Sequence, residues 1–176
     1  DESVLRRIAR SAVVEPGEPL LEVGPGPGNL TKYLLGEGAV VTAVEKDDTL
    51  AARLQENFPG QAGLTVVNED VIRWLRRGAC PSGRRLHLVA NLPFNITTDL
   101  LKLVLPRVED FSRVTLLLQD EAAVRLLQAA PGDSNYRAMS LRVHYFSEAE
   151  YLFQIPSHAF YPRPKCTCAL VTFRLR

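Results

Sequence analysis

Apolar residues recur along this chain in two alternating rhythms, short unbroken runs and helix-spaced stripes. Val4, Leu5, Ile8 and Ala12 make one stripe across residues 2–12, ended by Pro16-Gly17. Leu20-Leu21-Glu22-Val23 then reads as a short buried strand, followed by the loop Gly24-Pro25-Gly26-Pro27-Gly28 and a helix over 29–35, with Asn29 as its expected cap. The rhythm repeats: a strand at 39–44, a helix near 49–57, a strand at 64–67, a short helix at 71–76 and a strand at 86–90. Helix 97–105, strand 113–118 and helix 120–128 follow. Near-continuous Val, Leu and Ala in strands separated by single helices predicts a parallel sheet covered on both faces. After Pro131-Gly132 the pattern becomes a helix at 136–146 and two strands, 149–155 and 168–175, with no helix between them. Such a pair is antiparallel. The expected architecture is a Rossmann-like α/β fold of seven strands, mostly parallel, with an antiparallel edge and helices on both faces.

Composition narrows this picture little. With 176 residues the chain is expected to form one domain, and 46% apolar and 23% charged residues are ordinary globular values. No apolar run approaches the ~18 residues that would read as a membrane span. The first residues, Asp1-Glu2-Ser3-Val4-Leu5, have neither the basic start nor the apolar stretch of a secretion signal, and the absence of an initiator methionine suggests a fragment. Cys80, Cys166 and Cys168 form no metal-binding spacing, so no metal is expected; Cys166 and Cys168 share a face of a strand as small fillers. Charge is uneven: residues 1–83 hold 9 basic and 12 acidic side chains (net −3), residues 84–176 hold 12 and 8 (net +4). The second half therefore carries what basic excess there is.

The chemistry sits at strand ends. Glycines 24, 26 and 28 let backbone approach a ligand at the carboxyl end of the first strand, or simply turn the chain tightly into its helix. The dinucleotide fingerprint would place its third glycine where Asn29 stands, and Pro25 and Pro27 remove two amide donors. A ligand without phosphates fits better. Glu45, 21 residues after Gly24, suits the two hydroxyls of an adenosine ribose. Asp70 and the following Val71 suit the adenine, though Asp70 equally suits a helix cap. Glu22 either faces the amino-acid end of a cofactor or salt-bridges the first helix.

Asn91-Leu92-Pro93-Phe94, after the fourth strand, decides among reactions. The adenine amino nitrogen is a poor nucleophile because its lone pair is delocalised into the ring. Acceptors around its N–H groups favour the rehybridised geometry that attacks a methyl sulfonium in line. The Asn91 side-chain oxygen and the Leu92 carbonyl supply them, Pro93 stiffens the turn, and Phe94 stacks on the base. Asparagine has no useful basicity, so the proton leaves to solvent.

With these residues in place, the chain resembles the small-subunit ribosomal RNA adenine dimethyltransferases. That group also includes eukaryotic nucleolar enzymes, mitochondrial transcription-factor-B relatives and macrolide-resistance methylases. The likeness runs through LEVGPGPGNLT at 21–31, VEKD at 44–47, NEDV at 68–71, NLPFNITTDLL at 91–101, LLLQDEAAVRLL at 116–127, SNYRAMSL at 134–141 and FYPRPKCTCALVTF at 160–173. It implies a class I S-adenosylmethionine-dependent methyltransferase that dimethylates two adjacent adenosines in the 3′-terminal hairpin of small-subunit rRNA. Such an enzyme acts within a pre-ribosomal particle, as a monomer. It also implies a cofactor pocket of Glu22, Gly24, Gly26, Gly28, Glu45, Asp70, Val71 and Asn91. The target adenine would lie between Asn91-Leu92-Pro93-Phe94 and Phe160, unless Phe160 is a core aromatic, with Arg163 and Lys165 meeting phosphate. The family's cofactor-covering opening segment and its C-terminal helical domain are absent from residues 1–176, and Cys166-Thr167-Cys168 replaces the usual Val-Asp-Ser or Val-Asp-Ala. NLPFNITTDLLKLVLP, LLLQDEAAVRL and YFSEAEYLF look closest to the plastid form, which implies chloroplast stroma. Two other readings stand beside this one: a non-catalytic organellar transcription factor of the same family, and a nicotinamide-dependent oxidoreductase.

Overall fold

Four of the apolar runs become β1 (Pro19–Val23), β2 (Val40–Glu45), β3 (Leu64–Asn68) and β4 (Leu86–Asn91). All five residues of β1 and five of the six in β4 are buried, as expected for strands covered on both faces. The computed structural model describes residues 1–78, 83–134, 137–160 and 163–176, and at Phe94 the backbone alone. Contacts gather these into two compact units, Glu2–Asn91 and Leu92–Arg176, the second also holding Asp1.

In the first unit the strands run parallel in the order β3-β2-β1-β4. Register pairs Val23 with Val44 and with Ala90, and Glu45 with Asn68. The carboxyl ends of all four strands consequently share one edge, about 4.8 Å apart from neighbour to neighbour. Helices α1 (Glu2–Ala12), α2 (Thr31–Gly36), α3 (Asp48–Asn57) and α4 (Val71–Arg76) connect and cover them. Ala9, Ala12, Leu20, Leu34, Val41 and Leu54 lie at the heart of this unit's core. The first helix buries Ile8 and Ala12 of its expected stripe, together with Ala9, and half-buries Val4 and Leu5.

The second unit holds α5 (Phe94–Val104), β5 (Phe111–Gln119), α6 (Asp120–Gln128), α7 (Ala138–Phe146), β6 (Ser147–Ile155) and β7 (Cys168–Leu175). Its strands are ordered β5-β7-β6, with β7 antiparallel to both neighbours. The expected antiparallel pair is there, and the strands among the described residues total seven. Thr115 and Thr172, directly opposed, bond hydroxyl to hydroxyl at 3.1 Å in the buried middle of β5 and β7.

Boundaries moved where local chemistry overrode periodicity. The second helix starts at Thr31 rather than at residue 29, with Leu30 in the cap position and no side-chain cap bond, so Asn29 does not cap it. The fifth starts at Phe94, not at 97, because Pro93 in extended conformation (φ −55°, ψ 145°) ends the preceding segment and feeds directly into the first turn. The third strand stops at Asn68, so Asp70 belongs to the next helix start rather than the strand end. The expected start of the seventh helix at 136 and the position of Cys80 fall outside the described residues.

Candidate active site

The glycine loop leaves β1 with Gly24, Gly26 and Gly28 all at positive φ (67°, 57° and 96°), conformations that side-chain-bearing residues rarely adopt. Gly24 N–H donates to the Val44 carbonyl at 3.0 Å, fastening the loop to the neighbouring strand. At Gly28 a β-carbon would come within 2.5 Å of the Phe58 ring and 2.7 Å of Leu54, so the loop must be bare there to pack on α3. At Gly26 a β-carbon would meet nothing within 4 Å. One glycine is needed for packing, and the other faces open space where a ligand can come close. Asn57, ending α3, holds the loop from outside by donating to the Pro27 carbonyl at 2.8 Å.

Glu45 ends β2 almost fully buried, and each of its oxygens accepts one backbone N–H, Gly26 on Oε2 and Asp47 on Oε1, both at 3.0 Å. A carboxylate accepts about four hydrogen bonds, so each oxygen retains one acceptor site. That suits a vicinal diol. Asn68, opposite in register, donates to the Glu45 carbonyl at 3.0 Å and to that of Lys46 at 3.4 Å, locking the end of β2 in place.

Glu22 is buried to 3% exposure and makes no ion pair among the described residues, so the expected salt bridge to the first helix gives way to a different contact. Its Oε2 accepts the Thr31 hydroxyl at 2.6 Å. Burial pushes its carboxyl up to about 7, and the Thr31 bond only partly offsets this. Asp70 caps α4, accepting the Arg73 N–H at 3.0 Å on Oδ1, with Val71 buried behind it; Oδ2 accepts no bond among the described residues. The cap reading of Asp70 is realised.

Asn91 is the exposed last residue of β4, one step beyond the Val23–Ala90 pairing and therefore beside Gly24. Its amide has no hydrogen-bond partner among the described residues. From Leu92 onward the chain turns into α5, where the buried Thr97 back-bonds: its hydroxyl donates to the Pro93 carbonyl at 3.1 Å and more weakly to the Leu92 carbonyl at 3.4 Å. The side chain of Phe94 lies outside the described residues. Phe160 is half-buried after the short turn Ser157–Ala159, and Arg163 donates to the Ser157 hydroxyl at 3.0 Å. Tyr161 and Pro162 lie outside the described residues; Lys165 is exposed. Cys166 and Cys168 are free and half-buried, and burial pushes the Cys168 thiol up, helped by Cys166 and Asp120. Among the described residues no cluster of three or more His, Cys, Asp or Glu is arranged to hold a metal ion.

Thr31, Asn68 and Thr97 were not picked out by the sequence reading. Thr31 had a signal, a hydroxyl residue directly after the glycine loop, with nothing in the string to say that it would turn back to Glu22.

Along one sheet edge Asn68 pairs with Glu45, and Gly24 and Asn91 each follow the paired residues Val23 and Ala90. The profile of the family described as ribosomal RNA adenine dimethylase matches residues 1–176. The chain belongs to this family. It is 41% identical over 181 residues to the chloroplastic ribosomal RNA small subunit methyltransferase of Arabidopsis thaliana, covering 97% of this chain and 53% of that protein. It is 34% identical to ribosomal RNA small subunit methyltransferase A of Protochlamydia amoebophila, over 100% of this chain and 63% of the relative. The chain thus spans between half and two thirds of these family members. Among solved structures it superimposes on the 23S rRNA methyltransferase ErmE with a TM-score of 0.82 (29% identity, 100% of this chain, 68% of that one). A dimethyladenosine transferase from Plasmodium falciparum gives 0.81 (25% identity, 100% and 62%). A glycopeptide N-methyltransferase solved with S-adenosylmethionine, at 18% identity and a TM-score of 0.61, shares the fold. The seven-stranded mixed sheet is that of the class I methyltransferases. No helix among the described residues is long and apolar enough to cross a membrane.

Proposed function

We propose that this chain carries the methyl-transferring site of an S-adenosylmethionine-dependent rRNA adenine-N6,N6-dimethyltransferase. Its substrate would be two adjacent adenosines near the 3′ end of small-subunit rRNA, in an assembling particle of the chloroplast stroma. The observation that carries this reading is the exposed Asn91 amide, without a partner among the described residues, one residue beyond the Val23–Ala90 pair that leads into the glycine loop. The chloroplastic name of the Arabidopsis relative supports the compartment.

The residues fit the cofactor. Glu45 keeps an acceptor site on each oxygen for the ribose hydroxyls, the space over Gly26 admits the ligand, and Asp70 Oδ2 with Val71 serves the adenine. Glu22, beneath the loop, sets its electrostatics through a carboxyl poised near neutrality. When bound, S-adenosylmethionine supplies an electrophilic methyl group. Asn91 Oδ1 and the Leu92 carbonyl accept the two N–H bonds of the target amino group, holding the nitrogen lone pair free for in-line attack. Thr97 steadies Leu92 and Pro93 so that this acceptor pair is in place before the substrate arrives. Phe94 and Phe160 stack on the extruded base. The proton lost from nitrogen passes to solvent, since neither acceptor is a base.

The test is transfer of labelled methyl groups by the full-length protein to undermethylated small subunits, with the label mapped by primer extension. Label on two adjacent adenosines near the 3′ end is expected. Cofactor binding without label on adenosine would refute the enzymatic reading and favour a non-catalytic RNA- or DNA-binding factor.

A further inference from the structure

Within Leu92–Arg176 lies a cavity of about 450 Å³ that the methyl-transfer site does not use. Its walls come from three helices and the end of β5, and neither Asn91, Leu92 nor Phe160 lines it. The floor is apolar, formed by Leu101, Leu118, Ala122, Leu126 and Met139. Ser140 braces it by donating to the Arg125 carbonyl at 3.4 Å, which ties α7 to α6. Around this floor stand polar groups of three kinds. Gln119, exposed at the end of β5, offers an amide donor and an acceptor that no described residue uses. Arg125 is already paired with Glu121 at 2.7 Å. Arg137, exposed at the rim, has no ion pair among the described residues.

This lining matches one chemistry closely. An apolar lining with one exposed amide and one exposed guanidinium that has no ion pair among the described residues suits a nucleobase joined to a phosphodiester. The volume is within the range of about 300–1,000 Å³ usual for sites that take a small ligand. Its place is equally specific, because Thr97 belongs to both sites: its hydroxyl holds the Leu92 and Pro93 carbonyls, and its residue lines the cavity. We infer that this cavity is a subsite for the nucleotide flanking the target adenosine, seating the neighbouring base on Met139 and Leu126 with its phosphate at Arg137. The inference rests on the RNA-methylating reading above. It gives that reading a means of choosing one position along a single strand, because the base in the cavity sets the register of the base presented to the Leu92 carbonyl, which Thr97 holds.

The test uses the full-length protein saturated with S-adenosylhomocysteine, and a hairpin oligoribonucleotide with two adjacent adenosines in its loop. A second hairpin lacks the base next to the target. Removing that base should weaken binding to the wild type by about tenfold, the usual scale for one well-seated base. In Ala122→Trp, which fills the cavity, the two hairpins should bind alike. Equal losses in both proteins, or none in the wild type, would overturn the subsite. Arg137→Glu, at an exposed position that leaves folding unaffected, gives a second reading: weaker hairpin binding by about tenfold with S-adenosylhomocysteine affinity unchanged. An unchanged hairpin affinity there contradicts the proposal and points to a protein segment or a metabolite as the occupant. Equal binding of the two hairpins by the wild type overturns the subsite alone; absence of hairpin binding by the wild type overturns the RNA reading with it.

Discussion

Thr31 donates its hydroxyl to the buried carboxyl of Glu22 at 2.6 Å, and this is the only hydrogen bond that the carboxyl receives among the described residues. Glu22 titrates near 7 in the folded chain against 4.5 when exposed. Below pH 4.5 both folded and unfolded chains hold the proton, and the group leaves stability untouched. Between pH 4.5 and 7 the unfolded chain releases its proton first, so stability falls as pH rises, and above 7 the full cost of a buried charge is present. Glu22→Gln should therefore raise the unfolding free energy in urea at pH 8 by roughly 2–4 kcal/mol, and change it little at pH 4.5. A midpoint difference that does not depend on pH would show that this carboxyl is not displaced toward neutrality.

Gly28 and Gly26 separate packing from binding. Gly28→Ala combines a φ of 96° with a β-carbon 2.5 Å from Phe58, and should cost about 2–4 kcal/mol in chemical denaturation. Gly26→Ala meets no neighbour, so it should cost only about 1–2 kcal/mol from its backbone while weakening S-adenosylhomocysteine binding in calorimetry. Equal stability losses would contradict the geometry of the loop.

Asn91→Ala removes an exposed amide without a described partner, so the unfolding free energy should change by less than about 0.5 kcal/mol. The methyl-transfer rate should fall by about 10²–10³, the scale for losing one preorganised polar contact to a reacting group. Retention of wild-type turnover would remove Asn91 from the chemistry.

Thr97→Val keeps the shape of a buried side chain and deletes the hydroxyl bonded to Pro93 and Leu92. The expected cost is about 1 kcal/mol of stability, with a fall in kcat and no change in cofactor affinity. Thr97→Ser should restore kcat. A loss of stability with unaltered kcat would mark the hydroxyl as structural only.

Much of the frame was legible because both of its periodicities are strong. The parallel strands were visible as apolar runs, and the antiparallel pair as two strands lacking an intervening helix. Helix starts were harder to read, since Asn29 has the chemistry of a cap but the helix does not begin until Thr31, and since Pro93 leads straight into a helix that begins at Phe94. At the site, Glu45 and Asn91 stand at strand ends where the pattern put them. What escaped were the partners. The hydroxyls of Thr31 and Thr97 and the amide of Asn68 act on groups that register and chain reversal bring near, and no local spacing encodes such meetings.

The position of β7 between β5 and β6 bears on how the chain is made. This strand pairs with both neighbours yet follows both in the sequence, so the central strand of the three is the last of them to leave the ribosome. Until it does, β5 and β6 have no shared partner, and each carries an open edge able to recruit another chain. Synthesis of the second unit therefore ends with an insertion rather than an addition. The interval before residues 168–175 emerge is the window in which a nascent chain most needs protection from its neighbours.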